Sequence, residues 1–315
     1  MPDRALPFVK NAGWGDATTT PIAGDLSARR YVRLTKQNNT AVLMDAGKDT
    51  SSTTAFVWMT NWLQITGISA PTILSAAPDQ GLLLLEDLGT MSVGQMLLAG
   101  QETDTVFSTC LDLLWHIRQQ PNPKLSCPGP RELTDWTKLA DTYYPNAKAS
   151  QMNDFRAVLE TVLISISSEP PSVSLRDFHA DNLMWLPDRT GIQRLGLLDY
   201  QDAFLTHPVY DLVSLLTDAR MDVSRNVRET YIHAYATLTG DNPTDLHRAF
   251  AALSVQRNLR ILGIFHKAAI EHGKRHHLPK VPRVYGYLME ALEHPVFDDI
   301  RGALQVALPP PRVAA

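Results

Sequence analysis

Two cysteines in 315 residues, Cys110 and Cys127, are too few for a disulfide framework and spaced wrongly for a zinc knuckle. Neither sign of charge dominates. Lys and Arg number 29 against 33 Asp and Glu, a net charge of −4, which argues against nucleic acid or an anionic membrane as the main partner. No apolar run approaches the length that spans a bilayer. The segment Met1–Lys10 lacks the apolar core of a signal peptide, and internal repeats and low-complexity tracts are missing. The expectation from these absences is a cytoplasmic protein of a reducing compartment. What is present is core-forming material: 44% hydrophobic and 20% charged residues, a balance that excludes wholesale disorder.

The first part of the chain is strand-rich. Tyr31–Thr35 and Thr40–Met44 alternate around the polar turn Gln37-Asn38-Asn39 and predict a hairpin. Phe56, Met59 and Leu63 sit at helical spacing within Ser52–Ile65. Pro71–Ser75 and Gly81–Leu85 predict two further strands, the second with four consecutive leucines and so buried on both faces. Beyond Leu88-Gly89 helical periodicity takes over, in Thr103–Arg118, Glu132–Tyr143, Asn153–Ile166 and most of Val209–Val306. The plan is α+β, with a small β-rich N-terminal lobe over residues 1–88 and a larger, mainly helical C-terminal lobe over 89–308. A tail over 309–315 is expected to fray.

One strand-like island interrupts the helical part. It contains Val173–Arg176, Leu183–Leu186 and Gly196–Leu198, with a turn over Pro187–Gly191. Within it lie Asp177-Phe178-His179-Ala180-Asp181-Asn182 and, 17 residues past Asn182, Leu198-Asp199-Tyr200. Phosphoryl transfer needs a carboxylate to take the proton of the attacking hydroxyl and hard oxygen ligands for Mg²⁺. An Asp followed five positions later by Asn, on a loop leaving a strand, supplies the base and one ligand, and a second Asp after a short hairpin supplies the other. Taken singly, each of these residues is ordinary turn material; the assembled set is what points to chemistry. A rival reading takes Asp177, His179 and Asp181 as a metal triad on one strand face.

These motifs resemble those of the aminoglycoside phosphotransferase and choline kinase family, whose members share a two-lobed protein-kinase-like fold. The closest likeness is to bacterial N-acetylmuramate/N-acetylglucosamine anomeric kinases. It is carried by Ala23–Tyr31, Val42–Ala46, Leu84–Gly89, Gly196–Ala203 and Tyr210–Leu216 with Asp218-Ala219-Arg220, and more weakly by Gln256–Leu259 through Gly263–Phe265. The resemblance implies an ATP- and Mg²⁺-dependent phosphotransferase acting on a sugar hydroxyl, with Asp177 as the base and Asn182 and Asp199 holding the metal. It places the nucleotide's phosphates near the Ser27 hydroxyl and the Arg29 and Arg30 charges, and the nucleotide at Met44 and at a hinge around Glu86 and Leu88.

Met44 stands where a protein kinase carries its strand lysine, and Ser52–Ile65 contains no Asp or Glu, so the lysine–glutamate pair of kinases is missing. Arg30, Arg33 and Lys48 are the neighbouring candidates for the lost charge. On the acceptor side the candidates are His179, Gln201, Asp202, Arg220 and Arg257, with Asp211 expected to brace the catalytic loop. The basic residues of the later helices favour a neutral or anionic acceptor over a polycation. Alternatives are an aminoglycoside, choline or homoserine kinase, or a nucleotide-binding pseudokinase. The cluster His272–His277 is expected to form an exposed, basic helix terminus.

Overall fold

A computed structural model describes residues 3–22 and 29–311. The chain divides into two units, one comprising the residues up to Met96 together with Asp181–Ala203, the other Leu97–Ala180 together with the residues from Phe204 onward.

The first unit is built on an antiparallel sheet in the order β1-β2-β3-β5-β4. Its strands are β1 (Thr18–Ile22), β2 (Arg30–Lys36), β3 (Asn39–Asp45), β4 (Ile73–Ala77) and β5 (Leu82–Glu86). β2 and β3 form the predicted hairpin, closed at Lys36↔Asn39, with Gln37 in the left-handed region at φ 55°. Period-2 alternation sends Val32, Leu34, Ala41, Leu43, Leu82 and Leu84 to one face, where they bury Ala5 and Val9 beside the short helix α1 (Leu6–Asn11). Met44 and Leu83 therefore point to the other face, and both are fully buried. Helix α2 (Thr50–Ile65) starts where the Asp49 carboxylate accepts from the Ser52 N–H (3.0 Å), a side-chain cap. The residues expected to face the core, Phe56, Met59 and Leu63, are buried.

The hairpin of β7 (Leu183–Trp185) and β8 (Leu195–Leu197) belongs to this unit, as does most of α3 (Val93–Leu98). Strands of three residues do not hold alone. These borrow partners: Leu197 N–H donates to the Ser69 carbonyl (2.8 Å), Ser69 Oγ to the Gln193 carbonyl (2.8 Å), and Trp185 N–H to the Met91 carbonyl (2.9 Å). The unit accordingly extends past residue 88 and regains a later stretch of chain.

The second unit is helical, with β6 (Ser172–Ser174) and β9 (Phe204–Thr206) paired antiparallel. Its helices are α4 (Thr103–Gln119), α5 (Pro130–Asp135), α6 (Lys138–Tyr143), α7 (Ala149–Ser165), α8 (Tyr210–Leu216), α9 (Arg225–Thr239), α10 (Pro243–His272), α11 (Val281–Ala291) and α12 (Arg301–Ala307). The single helix expected over Glu132–Tyr143 is two, broken where Thr137 Oγ1 donates to the Thr134 carbonyl (2.7 Å). α10 is capped by Asn242, whose side chain accepts from Thr244 and Asp245 N–H, and ends at Gly273, φ 66°. The expected exposed histidine cluster needs a correction, because His277 is fully buried and stacks on Phe265 at 5.0 Å. Among the described residues no helix is long and apolar enough to cross a membrane.

Candidate active site

The residues singled out by sequence fall in both units. In the helical unit, β6 ends at Ser174 and the chain turns abruptly. Arg176 adopts φ 71°, a left-handed conformation unfavourable for a residue with a side chain. What holds it there is Asp211, buried in the first turn of α8. Its carboxylate accepts from Ser174 Oγ (2.7 Å), Leu175 N–H (2.6 Å) and Arg176 N–H (3.1 Å). Burial raises the Asp211 pKa to about 6 even though these donors favour the ionised form. Asp177 follows directly, its N–H donating to the Leu175 carbonyl and its own carbonyl accepting from His179 N–H, both at 2.9 Å. Its side chain is 42% exposed.

A second carboxylate fixes the far side of the loop. Asp218 Oδ2 accepts from Ala180 N–H (3.1 Å), while Oδ1 accepts from Arg220 N–H (2.8 Å) and lies 3.6 Å from the Arg220 guanidinium. Arg257 reaches in from α10. It is buried, donates to Ser214 Oγ (2.7 Å) and lies 3.9 Å from Asp177 Oδ1. It therefore stands beside the proposed base. His179 is buried, and its Nδ1 has no hydrogen-bond partner. Burial, together with the charges of Arg220, Arg257 and Lys280, lowers its pKa and keeps it neutral.

In the sheet unit the β7–β8 hairpin carries Asn182 and Asp199 at one end, where Leu198 N–H donates to the Asn182 carbonyl (2.9 Å). Asp199 is left-handed as well, at φ 55°. The next residue locks it: Tyr200 is fully buried, stacks on Phe56 with ring centroids 4.8 Å apart, and shares a 2.7 Å hydrogen bond with Thr60 Oγ1. Asp199 Oδ1 accepts from Arg29 (2.8 Å) and from Gln201 Nε2 (3.1 Å), and Gln201 Nε2 also donates to Asp202 (3.0 Å). Asp202 is exposed, with Arg29 at 4.0 Å. Asn182 and Asp199 are both partly exposed, and an amide and a carboxylate carry the hard oxygen atoms that Mg²⁺ prefers. Among the described residues no group of three or more His, Cys, Asp or Glu is arranged to hold a metal. The rival triad Asp177-His179-Asp181 thus has no counterpart; His179 is buried whereas Asp181 is exposed.

Of the residues expected at the nucleotide end, Ser27 lies outside the described residues. Arg30 is exposed on β2, opposite Asp45. Met44 is fully buried between Tyr31 and Leu83 in the sheet register. Glu86 accepts from Thr72 N–H and Oγ1 and pairs with Arg189 (2.8 Å). Leu88 packs so closely on the hairpin that a Cβ at Gly196 would lie 2.7 Å from its Cδ1. Sequence reasoning quoted Asp218 and Ser214 within the resembling segments and Ser174 within a strand-like piece but gave none of them a role, since their roles arise from contacts distant in the chain. It also missed the bond from Arg29 to Asp199, which spans 170 positions.

A small antiparallel sheet unit together with a mainly helical one is the plan of a protein-kinase-like fold. Residues 18–250 match the family model described as the phosphotransferase enzyme family, and the chain belongs to that family. It is 28% identical over 337 residues to an N-acetylmuramate/N-acetylglucosamine kinase of Caulobacter vibrioides, a match covering 93% of each chain. Its fold is similar to that of a choline kinase from Streptococcus pneumoniae, with a TM-score of 0.68, 14% identity and coverage of 91% and 99% of the two chains. An ADP-bound aminoglycoside phosphotransferase gives a TM-score of 0.62 at 14% identity, covering 94% of this chain and 99% of that one.

Proposed function

We propose that this enzyme transfers the γ-phosphoryl group of ATP to the anomeric hydroxyl of N-acetylmuramate or N-acetylglucosamine, as a cytoplasmic step of cell-wall sugar recycling. The observation that carries the reading is the likeness to the Caulobacter sugar kinase along nearly the whole chain. Asp177 orients the acceptor hydroxyl and takes its proton, held in position by the Asp211 brace behind Arg176. Arg257 lies beside it, 3.9 Å from Asp177 Oδ1. Asn182 and Asp199 are the ligands for Mg²⁺, which when bound neutralises the charge of the phosphates.

In this reading the nucleotide belongs to the lobe of residues 1–88, with a basic side chain at the entry to β2 toward the phosphates and the hinge around Glu86 and Leu88 toward the adenine. The helical unit supplies the base, and Gln201 and Asp202 of the sheet unit offer amide and carboxylate partners for sugar hydroxyls. The positive charges of Arg220, Arg257 and Lys280 around His179 support a neutral or anionic acceptor and disfavour a polycationic one. Both cysteines are free thiols, in keeping with a reducing cytoplasm.

The test is ADP release with ATP and magnesium across a panel of N-acetylmuramate, N-acetylglucosamine, an aminoglycoside, choline and homoserine. Turnover confined to the two amino sugars is expected. Turnover on choline, homoserine or the aminoglycoside alone would overturn the assignment of the acceptor, and turnover on none would overturn the enzyme reading for this panel.

A further inference from the structure

Phosphoryl transfer needs a cation at the nucleotide's phosphates, and β3 offers none, because Met44 is fully buried where a lysine would stand. The candidates nearest in sequence do not fill the role. Arg33 is committed to Asp87, with contacts of 2.6 and 2.9 Å, and to the Gly89 carbonyl (2.8 Å). Arg30 and Lys48 are exposed.

Arg29 differs from all three. It immediately precedes β2, and its side chain meets that of Tyr31, which pairs with Met44 in the sheet. Its guanidinium is only 9% exposed, and it bridges Asp199 (2.8 Å) and Ser52 Oγ in the first turn of α2 (2.8 Å). A kinase strand lysine likewise pairs with a residue of the helix, a glutamate, and with the nucleotide phosphates. Here the helix carries no carboxylate, and a hydroxyl takes its place.

We infer that Arg29 is the residue that meets the nucleotide's phosphates, with its bond to Ser52 replacing the strand-lysine to helix-glutamate pair. This rests on the kinase reading above. A planar, permanently charged fork suits phosphate oxygens, and its anchorage to Ser52 fixes the direction in which it points.

The test is calorimetric titration of the full chain with ADP and with adenosine, without magnesium, for the unsubstituted protein, Arg29→Met, Arg29→Lys and Lys48→Met. Arg29→Met is expected to weaken ADP about 10- to 100-fold, the loss of a charge-assisted hydrogen bond, and to leave adenosine affinity unchanged. Unchanged adenosine binding also shows that the fold survives. Arg29→Lys should recover part of the ADP affinity, and Lys48→Met should lose none. Equal ADP affinity in Arg29→Met, or a loss in Lys48→Met instead, would overturn the role of Arg29 while leaving the kinase reading intact. Failure of the unsubstituted protein to bind ADP at all would overturn both.

Discussion

Asp211→Asn separates what the catalytic loop needs from what the fold needs. The carboxylate is buried and takes three hydrogen bonds, two on Oδ1 and one on Oδ2. An asparagine with its oxygen at Oδ1 keeps Ser174 and Arg176 but sets an NH₂ group against the Leu175 N–H. A buried donor left unsatisfied costs about 1–3 kcal/mol. Against this stands the charge. Burial raises the Asp211 pKa to about 6, compared with about 3.9 for an exposed aspartate, so holding it ionised at neutral pH costs on the order of 3 kcal/mol, which the neutral amide removes. The two effects oppose each other, and the net change in stability at pH 7 should fall within about 2 kcal/mol.

The rate has no such compensation. Arg176 is left-handed only because its N–H and that of Leu175 are held, and relaxing it displaces Asp177, the next residue. A shift of about 1 Å at a reacting group costs about 10²-fold in turnover. The pH dependence gives a further check. Between about pH 4 and pH 6 the folded state binds the Asp211 proton more tightly than the unfolded state, so the stability contributed by that proton is complete at low pH and lost as pH rises through about 6. Asp211→Asn should lack that slope. The assays are thermal melting at several pH values and kcat with ATP and the acceptor. Full turnover in the variant, or a fall in turnover no larger than the unfolded fraction accounts for, would refute the brace.

The remaining expectations are simpler. Asp177→Asn should bind nucleotide normally yet lose about 10²–10⁴-fold in kcat, the usual size of a general-base contribution; calorimetry and steady-state kinetics read the two separately. Asp199→Ala should abolish the magnesium-dependent part of nucleotide affinity, measured by titrating ATP with and without the metal, and an undiminished magnesium effect would remove Asp199 from the ligand set. Gly263→Ala should lower the melting temperature by the equivalent of about 1–3 kcal/mol. The added Cβ would lie 2.5 Å from the Leu139 carbonyl carbon and 2.6 Å from the Ala140 nitrogen, and backbone cannot step aside as a flexible side chain can.

Much of this protein is written locally. The hairpin of β2 and β3, the helix that buries Phe56, Met59 and Leu63, and the four leucines of β5 follow from alternation and periodicity, because those patterns report which residues leave water. The spacing from Asp177 to Asn182 and the later Asp199 is likewise a matter of residue order, and the chain alone displays it. Tertiary structure decided the rest. Val9 and Ala5 become core only when Leu34, Leu43 and Leu84 present a face to cover, and a six-residue helix is too short to announce itself by period. The break between α5 and α6 and the burial of His277 depend on neighbours far along the chain. So does the exchange of a lysine–glutamate pair for Arg29 and Ser52: sequence shows that Met44 is not a lysine, but only folding sets a guanidinium from one strand against a hydroxyl from a helix and a carboxylate 170 positions away. Local pattern records how each segment partitions between water and core, whereas a buried charge chooses its partners in three dimensions.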